Sequence, residues 1–524
     1  MTLENPGRGR VAGILCVFIV VVFPSAWLAG NVLSHGAGPA FQEVFRRPFL
    51  EAVGRSFIQG FWLVTWSLAV GWPYGVLCGL FPTRWSRLVQ MLLVVPLFMP
   101  TFLWAIGLAN LRSLFPYRLQ GWMDGLAGSV LALGAFTIPL VVLATLRAVR
   151  TVGVSQADSA RLHGGGRRLC WLAARLAFPA SLGAAMLGAM LALADPGPAQ
   201  IMGYHGASSE ILIAFAGRND LGLAVVKSLG LALFLLPAIG ATAWLCARLM
   251  EPELVAGETP RAPPLPEARG RRLLAFGFLL LPGPLLAVPL TGLLKPLLMP
   301  ASGQALEHAW QVLGETSGIT TWYALTAATV GTALGLTTAL LAFRAAACRR
   351  TVLWFGFAFL ALSPAMHALG LVLMAAHGPP SGDFLLRSGW LAGLGLGLRF
   401  MPIGAILCLV TLSKMPRSLN YASAVHGLPL FTYGRRVLLP LLWPAILTAM
   451  LVIGLLALAD VSSTMLLAPP GETTFPGRIF AVMDNASQRL VASLCLVYVA
   501  AASLPVLLLL WLGPGRNSGK TPPC

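Results

Sequence analysis

Apolar runs of about 20 residues recur along this chain, and they leave few folds open to it. Each run is long enough to cross the roughly 30 Å hydrocarbon core of a bilayer as a helix. Of the 524 residues, 57% are hydrophobic and 10% are charged, with a mean hydropathy of +0.80. A soluble protein of this length could not bury so much apolar surface. Because the runs are continuous rather than alternating, the sequence predicts an all-α polytopic membrane protein and not a β-barrel.

Twelve of these runs are candidate membrane spans. The first could be mistaken for a signal peptide, but its apolar stretch of about 20 residues exceeds the roughly 7–15 residues of a signal sequence. We therefore treat it as a membrane helix. The predicted spans are 11–31, 57–80, 88–110, 127–147, 178–198, 222–246, 273–294, 319–343, 351–376, 388–412, 441–462 and 490–513.

The distribution of charged residues orients the predicted helices. If both termini are cytoplasmic, the inside segments contain 24 of the 36 Lys and Arg residues and 6 of the 18 acidic residues. The whole net charge of +18 then lies on the inside, as the positive-inside rule expects of a multi-pass protein of the bacterial inner membrane. This topology accounts for the pI near 10.5, so nucleic acid is not an expected partner.

One stretch of the sequence occurs twice. Residues 158–195 recur, with substitutions, at 421–460, and both copies run from a His-Gly pair to Leu-Ala-Leu-Ala-Asp. The closing motif ends at Asp195 and again at Asp460, an offset of 265 residues, or about half the chain. The sequence therefore predicts an internal repeat, with one membrane unit present twice in a single polypeptide.

A polar, proline-rich segment separates the two copies. Residues 251–272 contain five prolines and cannot bury a core, so they are expected to form an extended cytoplasmic linker. The linker divides the chain into a first half at 1–250 and a second half at 273–524, each with six predicted spans. Because six is even, both halves enter the membrane from the same side, which is the arrangement of a parallel repeat.

In each half, a long basic cytoplasmic loop separates the fourth and fifth spans. The loops are 147–175 and 413–440, whereas the other cytoplasmic turns, such as 81–87 and 344–350, are short. A long, basic and duplicated loop is more than a connector and points to two docking sites for a two-fold partner. The alternative is a stretch that binds lipid headgroups.

The loops carry a recognisable motif. The first reads Asp-Ser-Ala-Arg-Leu-His-Gly from Asp158 to Gly164, and the second reads Tyr-Ala-Ser-Ala-Val-His-Gly from Tyr421 to Gly427 before Leu-Pro at Pro440. They resemble the cytoplasmic signature of binding-protein-dependent ABC importer permeases: Glu-Ala-Ala, three residues, Gly, nine residues and Ile-x-Leu-Pro. The first copy keeps an acidic residue, but the second has tyrosine in place of the glutamate.

The resemblance implies a permease subunit of an ATP-driven importer. Its partners would be two copies of a cytoplasmic ATP-binding subunit, which hold ATP and magnesium, and an extracytoplasmic substrate-binding protein. The chain itself would be no enzyme and would have no catalytic residue, cofactor or metal site. The residues that the motif assigns to coupling with the ATPase are Asp158, Ser159, Ala160, Gly164, Tyr421, Ala422, Ser423, Gly427 and Pro440.

The cargo is less well defined by the sequence. Residues 460–480 are similar to a segment of fused twelve-helix permeases of the iron(III) and thiamine importers. Iron(III) is therefore the leading prediction, with thiamine, polyamines and phosphonates as alternatives.

Two other classes of protein fit the sequence less well than an importer subunit does. A gradient-driven secondary transporter with six plus six helices shares the parallel repeat, but it predicts a charged signature between spans two and three, where only the short turn 81–87 occurs. A membrane enzyme of lipid or prenyl chemistry would need clustered acidic residues, and the acidic residues here are scattered.

Ionisable residues at membrane depth are the candidates for the translocation path, because they are costly there unless they serve a function. Asp195 and Asp460 end equivalent spans, and Arg399 lies inside the tenth. We expect the two aspartates to flank the external mouth of the path. The alternative is that they cap helix ends or lie in interfacial water.

Overall fold

The computed structural model describes residues 13–14, 23–28, 30, 42–80, 92–255, 282–298, 302–343, 345–377, 381–415, 418–419, 425–426 and 429–512. In these ranges most residues are helical, and none lies in a β-strand. The predicted all-α fold class is therefore confirmed. Of the coupling residues, Tyr421, Ala422, Ser423 and Gly427 lie outside these ranges.

The longer helices of the first half, with two short ones that border the functional site, are numbered here in chain order. They are α1 (Arg47–Leu80), α2 (Thr101–Leu111), α3 (Gly125–Arg150), α4 (Val154–Leu193), α5 (Gly197–Ile201) and α6 (Leu221–Val255). Shorter helical turns connect them at Glu43–Phe45, Val95–Phe98, Arg112–Leu114, Tyr117–Met123, Ala207–Leu212 and Ile213–Gly217.

The second half is numbered in the same way. Its helices are α7 (Pro282–Leu294), α8 (Ser302–Ala342), α9 (Ala346–Ala361), α10 (Pro364–His377), α11 (Trp390–Ser413), α12 (Leu439–Ala459), α13 (Val461–Leu467), α14 (Phe475–Val482) and α15 (Gln488–Leu512). Shorter helical turns lie at Lys295–Leu298, Ser381–Arg387, Leu430–Tyr433 and Gly434–Leu438.

Most of the predicted spans correspond to helices of the structure. In the described part of the chain, eight helices are long and apolar enough to cross a membrane, and two bent pairs of helices raise the number to ten if each pair is one span. The remaining two predicted spans are described only in part: 13–14, 23–28 and 30 of the span 11–31, and 282–294 of the span 273–294. A total of twelve therefore stays a prediction.

The third and ninth predicted spans are each broken into two helices. The segments Leu92–Phe98 and Thr101–Leu114 meet at 107°, and the segments Ala346–Ala361 and Pro364–Ala376 meet at 91°. A proline stands at each break: Pro100 lies within the first, and Pro364 is the first residue after the second. Proline has no N–H to donate and moves the preceding residue away from helical geometry, which is the physical reason for both breaks.

Three long helices pack together in each half. Helices α1, α3 and α4 contact one another in the first half, as do α8, α11 and α12 in the second. Further contacts join the halves: α7 packs on α2, and α6 packs on α9. At the ends of α6 and α9, Glu251 and Arg350 form an ion pair.

Small residues allow these helices to approach closely. A Cβ atom at Gly75 of α1 would lie 2.5 Å from the Cβ of Thr145 in α3, and one at Gly335 of α8 would lie 2.6 Å from the backbone nitrogen of Ala405 in α11. Buried hydroxyl groups also meet across helices, because Thr145 Oγ1 and Ser181 Oγ are 2.7 Å apart. Close packing at glycine together with interhelical hydroxyl contacts is the usual way in which membrane helices associate.

The linker differs from its prediction at its start. Helix α6 continues to Val255, so the first five residues of the predicted extended linker 251–272 are helical. A helix that leaves the membrane can continue into a short polar segment that packs on its neighbour, and Glu251 makes such a contact with Arg350. Residues 256–272 lie outside the described part of the chain.

The glycine contacts predict how the bundle responds to a single methyl group. Gly335→Ala is expected to lower the melting temperature of the purified chain in detergent, because overpacking against backbone costs about 1–3 kcal/mol. Gly240→Ala is the matched control, since no atom lies within 4 Å of a Cβ at that position of α6. The control should melt at or above the wild-type temperature. Equal melting of both variants would contradict this packing.

Candidate functional site: a charged cavity between the two halves

A cavity of about 90 Å³ lies where the two broken spans meet the ends of α4 and α12. Both halves contribute to its wall, which is mostly apolar and includes Phe136 and Phe400. Its polar lining residues are Thr101, Asp195, Arg399, Asp460 and Ser462. The cavity has room for a few water molecules and brings polar groups into an otherwise hydrophobic interior.

Arg399 and Asp460 form an ion pair in this cavity. The Nε atom of Arg399 lies 3.2 Å from Asp460 Oδ2, and the two side chains are only 10% and 9% exposed. Arg399 Nη1 also donates a hydrogen bond of 2.8 Å to the hydroxyl oxygen of Ser463, which in turn donates one of 2.7 Å to Asp460 Oδ2. The extra hydrogen bonds matter because a buried ion pair offsets its desolvation cost only when its remaining polar atoms are also satisfied.

Asp460 holds this position because of the local backbone. It is the N-cap residue of α13, where its Oδ1 accepts a hydrogen bond of 3.0 Å from the backbone N–H of Ser463. A carboxylate at this place satisfies a backbone donor that the first turn of a helix leaves unpaired. Asp460 therefore caps a helix and lines the cavity at the same time.

Asp195 occupies the corresponding position in the first half, but it has different partners. Thr101 Oγ1 donates a hydrogen bond of 2.6 Å to Asp195 Oδ2, and the backbone N–H of Gly197 donates one of 3.0 Å to Oδ1. Thr101 is the first residue of α2, so the break in the third span supplies this hydroxyl. Asp195 also interacts electrostatically with Arg399 and Asp460.

The three ionisable residues that the sequence singles out thus share one cavity. One guanidinium faces two carboxylates, one from each half of the chain, among the residues that line it. The sequence reasoning missed Thr101 and Ser463, because a hydroxyl in an apolar run is not unusual by itself. The prolines beside the breaks, Pro100 and Pro364, were the signals that could have revealed the broken helices.

The first coupling segment is helical up to its glycines. Asp158 and Ser159 are exposed on α4, Ala160 is buried, and Asp158 pairs with Arg161 at 3.1 Å. The helix is then interrupted at Gly164 and Gly165, and Gly165 has a φ of 62°, which favours glycine. The segment therefore presents a short helix followed by a sharp change in chain direction.

In the second coupling segment, only the end of the motif can be described. Pro440 is exposed in the first turn of α12, directly after the π-helical turn Gly434–Leu438 that carries Arg435 and Arg436.

The described residues offer few ligands for a resident metal ion. Among the residues that the structure describes, no group of three or more His, Cys, Asp or Glu side chains is placed to hold one. The cavity has two carboxylates beside an arginine, which is a donor set for charge pairing rather than for metal coordination.

These features define a polytopic α-helical membrane protein with a charged cavity between broken helices. The chain is similar to the putative 2-aminoethylphosphonate transport system permease protein PhnV of Salmonella choleraesuis, with 35% identity over 98 residues, which is 18% of this chain and 37% of the relative. The PhnV protein of Salmonella typhimurium is 35% identical over 85 residues, which is 16% of this chain and 32% of the relative.

The match spans about a third of the length of these relatives. No protein-family model matches the chain, and no solved structure matches it. Over this segment the chain is similar to transport permease proteins, and the sequence motif points to the same class of protein.

The ion pair predicts an asymmetric response to substitution. Arg399→Met should lower the free energy of unfolding by about 3–5 kcal/mol, because it leaves a buried carboxylate without its partner. Adding Asp460→Asn should restore most of this loss, and the melting temperature in detergent measures both effects.

The control for this prediction is an exposed ion pair. Arg387 and Asp383 lie 3.1 Å apart with side chains 81% and 65% exposed. Arg387→Met should therefore cost less than about 1 kcal/mol. If Arg399→Met is as mild as this control, or if Asp460→Asn adds to the damage, the buried pair does not have the role described.

Proposed function

We propose that the chain is the permease subunit of an ATP-driven importer and that the charged cavity lies on its translocation path. The observation that carries the proposal is that broken spans and charged residues from both halves meet in one cavity. Broken helices in transporters commonly line the substrate path near the middle of the membrane, between structural repeats. The partial similarity to permease proteins and the coupling motif support the same function.

Alternating access follows from the division of the site between the halves. Asp195 belongs to the first half, whereas Arg399 and Asp460 belong to the second. A movement of one half against the other would change the distance from Asp195 to the ion pair while the pair itself stays intact. In the proposed cycle, the cavity opens first to the outside and then to the inside, and the two aspartates stand at its external mouth when it opens outward.

The proposed energy source is ATP hydrolysis on separate subunits. Two copies of a cytoplasmic ATP-binding subunit would dock on the coupling segments that contain Gly164 and Gly427. The segments differ, since Asp158 stands in the first where Tyr421 stands in the second. We therefore expect unequal docking, with the stronger polar contact at the first segment. A substrate-binding protein would deliver the cargo on the outer face.

Two solutes are candidates for the cargo. Iron(III) follows from the resemblance of residues 460–480, whereas the relatives are described as permeases for 2-aminoethylphosphonate. A phosphonate with an amino group carries charges of both signs, and a cavity with one arginine and two aspartates offers a partner for each. This match of charge supports the aminophosphonate, and the shortage of metal ligands among the described residues gives iron(III) less support.

A gradient-driven secondary transporter is the second candidate. It is favoured by one observation: Asp195 is a second carboxylate in the cavity, beside an arginine–aspartate pair whose charges already balance. In such a transporter, Asp195 would take up and release a proton during each cycle.

Purification of the tagged chain from its native membrane in a mild detergent distinguishes the two functions. The importer predicts that an ATP-binding protein copurifies at two copies per chain and that reconstituted uptake requires ATP. A chain that is isolated alone and that transports with an ion gradient but without ATP would refute the importer.

The coupling segment gives a more local prediction. Asp158→Lys should reduce the amount of ATP-binding subunit that copurifies, because it reverses an exposed charge on the proposed docking helix. Asp383→Lys, which changes an exposed acid of another ion pair outside the coupling segments, is the control and should retain the subunit. Equal recovery with both variants would remove Asp158 from the docking surface.

The cavity gives a prediction about transport. Asp195→Asn should reduce ATP-driven uptake by roughly tenfold or more. The loss of an interaction made by a charge in the cavity costs more than about 1.4 kcal/mol, and a cost of that size lowers a rate by a factor of ten. Asp383→Asn is the control and should transport normally. Normal uptake by Asp195→Asn at unchanged expression would exclude this carboxylate from the path.

A further inference from the structure

A basic groove lies at the end of α4 that bears the first coupling motif. It has a volume of about 370 Å³ and is lined by His163, Gly164, Arg167, Arg168 and Trp171. Nothing in the proposed transport cycle requires two adjacent arginines and a tryptophan at this place. The groove is therefore a candidate binding site in its own right.

The backbone shapes the groove through its glycines. The helix is interrupted at Gly164 and Gly165 and then continues, which separates His163 from the two arginines that follow. A Cβ atom at Gly164 would lie 3.0 Å from the Cβ of Arg168, so a larger residue would crowd the wall of the groove. His163 is held in place because its Nδ1 atom is 2.8 Å from the carbonyl oxygen of Ser159.

The groove carries positive charge without a matching acid. Arg167 and Arg168 are exposed, and the ion pairs found among the described residues do not include them. One turn beyond Trp171 on α4, the guanidinium of Arg175 lies 5.3 Å from the centre of the Trp171 ring. This contact holds a third cation on the same side of the helix. Two arginines in the lining of the groove, with a third stacked on its tryptophan, offer the charged donors that bind an oxyanion most strongly.

The order of the exposed side chains along α4 indicates the level of the groove relative to the membrane. The exposed residues change from Arg167 and Arg168 to Trp171, with the guanidinium of Arg175 over its ring, and then to the apolar Leu176 and Phe178. Tryptophan is enriched at the level of the lipid headgroups, with cations outside it and apolar residues inside it. The arginines therefore lie where the phosphates of the adjoining leaflet lie.

We propose that this groove binds the headgroup phosphate of one anionic phospholipid, with its acyl chains along Trp171 and Phe178, which lie seven residues apart on one face of α4. A lipid is favoured over free phosphate because the groove continues into an exposed apolar surface, which inorganic phosphate would leave unused. The site belongs to the first half alone. When the two copies are aligned on Leu-Ala-Leu-Ala-Asp, Pro440 replaces Arg175, so the second half lacks the stacked arginine.

The test measures lipid retained by the purified chain, free of any ATP-binding subunit, by native mass spectrometry. After exchange into detergent with phosphatidylglycerol, the wild type should retain one molecule, whereas phosphatidylcholine should be lost. The triple variant Arg167→Gln, Arg168→Gln, Arg175→Gln should bind phosphatidylglycerol roughly tenfold or more weakly, because each cation near the headgroups adds to the attraction. Its melting temperature without added lipid reports whether it is folded.

The control removes the two adjacent arginines of the second basic loop instead. Arg435→Gln with Arg436→Gln should retain the lipid, because the groove of the first half is unchanged. Equal loss in this control would mean that general surface charge attracts the lipid, and retention by the triple variant would mean that the groove does not bind it; either result overturns the proposal. The proposal is also overturned if the wild type binds inorganic phosphate but no phosphatidylglycerol.

A further arm addresses the ATP-binding subunit as the occupant of the groove. If the triple variant keeps its lipid but no longer copurifies the subunit, the groove belongs to the docking surface and the lipid proposal is overturned. Because lipid retention is measured on the chain alone, it can fail while the importer function stands, and the reverse also holds.

Discussion

The hydrocarbon core of a bilayer offers no hydrogen bonds to the protein backbone, and this constraint determines where the helices of this structure can be broken. Every peptide group at membrane depth must find a partner inside the protein, so a helix can be broken there only where protein or a polar cavity encloses the break. Both breaks meet this requirement, since Met99 is 1% exposed, Thr101 is 7% exposed and Ser363 is 8% exposed. The long unbroken helices around them provide the enclosure. The position of the cavity beside both breaks is a consequence.

The charges in the cavity follow from the same enclosure. Arg399 and Asp460 are stable at this depth because each satisfies the other, and Ser463 accepts and donates the hydrogen bonds that remain. Asp195 depends instead on Thr101 and on the backbone of Gly197. A core of apolar residues would be at least as stable as such a network, so stability alone does not account for it. The proposed path for a charged solute would account for it, because the network holds both signs of charge beside a cavity.

The sequence predicted the parts of this account that depend on composition and on local pattern. The helical spans follow from runs of apolar residues, and Asp195, Asp460 and Arg399 stood out because charge is costly in a membrane. Their partners could not be predicted, because Thr101 is 94 residues from Asp195 and Ser463 is 64 residues from Arg399. The broken helices were missed for another reason. Pro100 and Pro364 lie in apolar runs whose hydropathy is unchanged by a bend, although proline marks the place where one occurs.

In the proposed cycle, the cavity opens alternately to the two sides of the membrane. This alternation is tested most directly with Ser462→Cys, in a chain whose eight native cysteines are replaced, by labelling sealed vesicles with a thiol reagent that cannot cross membranes. The account predicts that Cys labelling at this position from one side falls, and labelling from the other side rises, when ATP and the partner subunits are supplied. Labelling from a single side that does not change with ATP, or no labelling from either side, would contradict it.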